Sequence, residues 1–272
     1  MNPTGRNMHS QFLPLLTNEI AKAVRRKLHY FGIVVVGLVC VIAYFMGGRL
    51  SEAATANAWG YVAFSMQLVF SDIGPVFIIV FSAMLLAEET GTGTIRAALA
   101  APVHRWELYL AKAAAGMLYM IVLSIAALLF SVALAKIHYD FSAVSDAFGT
   151  VYSRGSASRE FLIGFALSWI PLAALVMYAL FISVIVRSPG AAVAVAISTL
   201  FIVDLTKHLV GLDPYIFTRY IEYSWIILQQ YAQGIDCQWR PEVWKMMGLS
   251  AAYSLVAFGV GLRIFVKEDL NH

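Results

Sequence analysis

The sequence predicts an all-α integral membrane protein with six transmembrane helices. Three observations carry that prediction. Hydrophobic residues make up 60% of the 272 and charged residues 13%, with a mean hydropathy of +0.75. Soluble domains carry roughly 25% charged residues, so much of the usual solvating surface is missing. The apolar residues gather into six runs, each near the ~20 residues that cross a hydrocarbon core. Basic residues cluster ahead of the first run, where they can meet anionic headgroups, and the formal charge of +3 is too small and scattered to suggest nucleic acid.

Ahead of the first run, Leu13, Leu16, Ile20 and Val24 recur at helical spacing, opposite Asn18, Lys22, Arg25 and His29. That pattern over residues 11–29 predicts an amphipathic helix lying in the membrane interface. Arg25, Arg26 and Lys27 followed by an apolar run and small residues mimic a signal peptide. The long polar leader and long run make it a retained span instead. The expected spans are Tyr30–Gly47, a second ending at Ala87, then Leu108–Ala135, Phe161–Val186, Ala191–Leu209 and Lys245–Val266. Arg187-Ser-Pro-Gly190 is the tight turn that splits one long apolar block into two antiparallel spans.

Eleven of the 19 Lys and Arg residues fall on the side of the N-terminus, and three of them directly precede the first span. The bias places both termini in the cytoplasm. Residues 210–244 on the outer side are rich in Tyr and Trp around a short apolar piece, Trp225–Leu228. The piece is too short to span, so a re-entrant or interfacial helix pair is expected; a small extracytoplasmic cap is the alternative.

Much chemistry is missing. No phosphate loop, nucleophile elbow or zinc-protease motif occurs, Gly91-Thr-Gly93 lacks the strand context of a dinucleotide loop, and the six histidines show no metal-ligand spacing. No catalytic or metal residues are assigned. Cys40 lies in a span and Cys237 in a loop, which argues against a disulfide. Acids near spans are costly and often functional, so Asp72 and Asp204 are candidate path-lining residues. Each also has a plain structural reading: Asp72 at an outer helix start, and Asp204 paired with Lys207 or His208 one turn away.

The polar insert Ala87–Lys112 is the most informative stretch. Glu88 and Glu89 end a span, Thr92 or Thr94 can cap a short helix, and Ile95 and Leu99 share one side of it before Pro102 stops it. On residues alone, a partner-docking helix and a simple turning loop are equally good readings.

The order of Glu89, Gly93, Thr94, Leu99, Pro102, Arg105 and Lys112 resembles the signature between spans two and three of ABC-2-type exporter permeases. The layout over nearly the whole chain is similar too. His104 stands where that family often has Ser. The resemblance implies one permease domain over residues 1–272, in a cell membrane such as a bacterial inner membrane. It implies a non-enzymatic subunit of an ATP-driven exporter that binds no cofactor itself. ATP and Mg would be used by a partner ABC ATPase, present in two copies, and a second permease copy would pair along spans one and five. Residues 88–107 would form the cytoplasmic coupling region, with Glu88, Glu89, Gly93, Thr94, Ile95, Leu99, Pro102 and Arg105 at the ATPase. Lys22, Arg25 and Arg26 belong to the interfacial helix. A stand-alone secondary transporter or channel, or a membrane scaffold for an assembly machine, is the competing expectation. The substrate is not legible.

Overall fold

The computed structural model describes residues 11–50, 57–94, 104–146, 149–207, 209–235 and 240–267, and the backbone alone at 48–50, 72 and 146. The described chain is helical but for one hairpin. Helix α1 (Phe12–Arg25) ends at Arg26, whose extended backbone turns the chain into α2 (Lys27–Leu50). Then come α3 (Ala58–Leu68), a single π turn (Val69–Ile73), α4 (Gly74–Gly91) and α5 (Arg105–His138). The antiparallel hairpin pairs β1 (Val144–Asp146) with β2 (Gly149–Tyr152). Helices α6 (Arg154–Ile185) and α7 (Pro189–Lys207) follow, then two short 3-10 turns, α8 (Tyr220–Ala232) and α9 (Arg240–Lys267).

Six of these helices are long and apolar enough to cross a membrane: Lys27–Gly47, Gly74–Gly91, Arg105–His138, Arg154–Ile185, Pro189–Lys207 and Arg240–Lys267. They correspond in order to the six apolar runs, with ends that differ by a few residues: the fourth begins earlier, at Arg154, and the fifth is shifted two residues toward the N-terminus. α5 has 34 residues, about 51 Å at 1.5 Å per residue, against a hydrocarbon core of about 30 Å. Its charged ends therefore reach well past the core.

α6 is the central helix. α4, α5, α7, α8 and α9 all pack on it, and 56% of its apolar window is buried, against 11% for α7 and 17% for α9. An outer helix can leave apolar side chains uncovered only if lipid or another chain solvates them. The exposed Phe201, Ile202 and Leu205 of α7 and the exposed Leu255 and Val256 of α9 fit that condition.

Several expectations are corrected. The interfacial helix was expected to run to His29, but it stops at Arg25, and His29 sits in α2 with its ring against Phe81 and Tyr119. Asp72 was expected to mark an outer helix start. Instead the chain stays helical from Ala58 to Gly91, and the Gly74 N–H bonds back to Val69 O, five residues earlier. Proline has no N–H and its ring crowds the carbonyl four residues back. A widened π turn just before Pro75 relieves that conflict without breaking the helix. The outer aromatic region holds one helix of 13 residues and two 3-10 turns among its described residues rather than a helix pair, and Arg240–Trp244 already belongs to α9. The hairpin was not foreseen, because its strands are too short to display a period-2 pattern.

Small residues set the close contacts. A Cβ on Gly116 of α5 would lie 2.7 Å from Val176 Cγ1 of α6. Gly116→Val should destabilise the protein by about 1–3 kcal/mol through overpacking, read as a lowered unfolding temperature in detergent. An unchanged unfolding temperature would show that α5 and α6 do not rely on this approach.

Candidate functional site

At one end of the bundle, α1 crosses the end of α4 and the beginning of α5, and six charged side chains meet there. Lys22 Nζ lies 2.7 Å from Glu19 Oε1 and 2.6 Å from Glu89 Oε1. Lys112 Nζ lies 3.2 Å from Glu19 Oε2 and donates to Leu85 O at 2.8 Å. It is also 2.9 Å from Glu89 Oε2, an ion pair off the line of a good hydrogen bond. Arg26 pairs with Glu88 at the rim. Three carboxylates thus face three cations, and the cluster is neutral.

Its centre is dry. Lys112 is fully buried, and Glu19 and Glu89 nearly so. An isolated buried ammonium is very costly, so Lys112 can sit here charged only because two carboxylates and a carbonyl surround it. The geometry inverts that of a water-soluble helix. α1 turns Glu19 inward and leaves Leu13 and Val24 exposed, as a helix does when its outer face meets acyl chains rather than water. Burial by itself would lower the Lys22 pKa, but hydrogen bonds to Glu19 and Glu89, with their charges, hold it above the ordinary 10.5. A raised lysine lends stability that is complete below pH 10.5 and fades only as pH climbs through the folded value.

The segment that follows α4 is shaped by glycine. Gly93 has φ +72°, a left-handed conformation that favours glycine. A Cβ on Gly91 would lie 2.8 Å from Arg187 O, in the connection between α6 and α7, and Thr90 Oγ1 donates to the same carbonyl at 3.4 Å. Thr94 Oγ1 is 2.9 Å from Thr92 Oγ1 and 3.5 Å from Glu89 O. Arg105, the first residue of α5, donates to Val266 O at 3.3 Å and ties that helix to the end of α9. The end of α4, the α6–α7 connection, the start of α5 and the end of α9 thus gather beside α1.

The chain's relation to known proteins bears on this end. A profile described as ABC-2 family transporter protein matches residues 15–204. The chain belongs to the ABC-2 transporter family. No curated protein matches it in a sequence search. As an ABC-2 membrane protein, a class of membrane domain that is typically non-catalytic, it carries the whole ion-pair cluster within the matched region.

Of the residues anticipated in this ABC-2 protein, Glu88, Glu89, Lys22 and Arg26 come together, whereas Arg25 is exposed on α1. Gly93, Thr94 and Arg105 flank the same place. Ile95, Leu99 and Pro102 lie outside the described residues. Asp72 falls in the backbone of the π turn within a continuous helix, not at a helix start, and its side chain is outside the described residues. Asp204 pairs with Lys207 and accepts from Thr218 Oγ1 at 3.1 Å, at the opposite end of the bundle; His208 is outside the described residues. Two central residues were given no role from sequence: Glu19, which was not named, and Lys112, which was named only as a member of the signature. The signal for Lys112 was available: a lone lysine within an otherwise apolar span needs a partner. Glu19, lying i−3 from Lys22 on a helix bordering the membrane, was the matching carboxylate.

Replacing Lys112 by Met should cost about 3–5 kcal/mol, because removing one member of a buried pair leaves uncompensated charge behind. Thermal unfolding in detergent reads this. Loss of less than about 1 kcal/mol would mean that Lys22 alone satisfies both acids. The unaltered protein should lose unfolding temperature as pH rises above 10.5, and Lys22→Met should flatten that fall.

Proposed function

We propose that this chain is the membrane-spanning permease of an ATP-driven exporter, driven by a separate ATPase that docks on the end bearing the ion-pair cluster. The observation that carries the reading is mechanical. Glu88 and Glu89 immediately precede, and Lys112 shortly follows, the polar segment at 92–104, and all three are joined to α1. A force applied to that segment therefore passes into α1, α4 and α5 together. Thr94–Ala101 is the coupling helix of this proposal, with Ile95 and Leu99 as its apolar contact and Pro102 as its stop. Neither ATP nor Mg is held by this chain; both belong to the two ATPase copies.

The remaining parts follow the same logic. α1 lies in the cytoplasmic interface, its exposed Leu13 and Val24 in lipid, and both termini are cytoplasmic. A second permease copy pairs through α2 and α7, whose exposed apolar faces, Val34, Leu38 and Phe45 on one and Phe201, Ile202 and Leu205 on the other, flank α4. α8, at about 20 Å, is too short to span and serves as the outer re-entrant or interfacial element. Asp72 and Asp204 are the acids proposed for the outer part of a substrate path. Closure of the ATPase dimer rearranges the permease interface as a rigid-body change.

The test is co-purification with the cognate ATPase and ATP-dependent export in vesicles. Leu99→Asp should lower ATPase retention by about ten-fold or more, the cost of burying a charge in an apolar contact. A variant that binds as tightly as the unaltered chain removes the docking surface from this account. Glu89→Arg should retain the ATPase but lose transport, and transport at the normal rate would end the role given to the cluster. Transport without any ATPase would favour a stand-alone carrier instead.

A further inference from the structure

At the end of the bundle away from the ion-pair cluster, a cavity of about 290 Å³ opens between the start of α6, α8 and the start of α9. Its lining changes polarity with depth. On α6, Ser156, Arg159, Ile163 and Leu167 all line it and recur at three or four residues, so one helical stripe runs from polar to apolar. Leu167 is about 20 Å along the helix from Arg154, and Arg159 only about 8 Å. Facing it, α8 sets Tyr231 near the mouth and Ile227 and Leu228 deeper, with the Ser224 hydroxyl one turn beyond them. The Tyr231 ring stacks on Tyr152 of the hairpin at 3.9 Å. Gly164 lets the wall close in, since a Cβ there would lie 2.8 Å from Leu228 Cδ1.

The charges at the mouth are unequal. Arg159 is paired with Glu160 at 3.0 Å, whereas Arg240 forms no ion pair among the described residues. Arg240 is the first described residue of α9. Among the described residues one cation thus has no carboxylate partner, beside an apolar trough whose size is close to the lower end of known ligand sites. Trough and cation together match a molecule with an anionic head and a hydrocarbon tail. We propose that this cavity is a phospholipid site, which seats part of one acyl chain between Ile163, Leu167 and Leu228 and holds the phosphate at Arg240. The site does not depend on ATPase docking, and its test needs no ATPase.

Native mass spectrometry of the full chain in detergent reads lipid retention directly. The probes are phosphatidylglycerol, a diacylglycerol with the same chains, and glycerol phosphate as the soluble headgroup. The unaltered protein should hold one phosphatidylglycerol per chain and about ten-fold less diacylglycerol, the difference expected for a charge-assisted hydrogen bond. Arg240→Glu should lower phosphatidylglycerol retention by about ten-fold or more, and Leu167→Trp should lower retention of both lipids by filling the trough. Equal retention of the two lipids, or an Arg240→Glu protein that retains phosphatidylglycerol normally, overturns the proposal. Displacement of phosphatidylglycerol by equimolar glycerol phosphate also overturns it, because the site would then bind the anion and not the lipid. If Arg240→Glu does not fold, Arg240→Gln gives the same reading with a neutral side chain.

Discussion

A lysine with no access to water fixes much of this architecture. Lys112 is buried near the start of α5, and a buried ammonium demands carboxylates at short range. One comes from α4 and another from α1. Meeting that demand brings three separately encoded helices to one point, and the second cation, Lys22, balances the acids recruited by the first. Hydrophobic association between helices is weak in lipid, because the tails are as apolar as the side chains. A satisfied polar cluster supplies the specificity that an apolar surface cannot.

The same cluster explains why α1 is built inside out relative to a helix of a soluble protein. Its acid points inward and part of its apolar face points out. An amphipathic helix held this way is tied ionically to the bundle and keeps an apolar face turned outward. Motion of the bundle end and motion of the helix are then hard to separate. In the ABC-2 family setting, that joins the N-terminal segment to whatever acts on the polar segment between α4 and α5.

The six spans were legible because length and apolarity are local properties of the chain, and each run became one helix. Boundaries were less legible. Charged residues such as Arg105 and Arg154 continue helices beyond the apolar core, since nothing in hydropathy ends a helix at the membrane surface. His29 was misplaced because a helical wheel assumes one unbroken helix, whereas the chain turns at Arg26. Glu88, Glu89, Lys22 and Arg26 could be named from composition and motif. Their pairing with Glu19 and Lys112 depends on which helices are neighbours, and a single sequence does not print that. The charge difference between Arg159 and Arg240 is of the same kind: only packing shows that, among the described residues, the first has a carboxylate partner and the second has none.

The π turn at Val69–Ile73 has an effect beyond accommodating Pro75. An α-helix advances about 100° per residue, so one inserted residue rotates everything after it by that angle. α3, before the turn, faces α2, α5 and α8, whereas α4, after it, faces α6, α7 and α5. One continuous helix therefore serves two sets of neighbours. The phase step decides that Glu88 and Glu89, some fifteen residues on, arrive on the side where α1 lies. Orientation at one end of the helix is thus set by a counting irregularity several turns earlier, much as a single extra tooth sets the timing of a gear train.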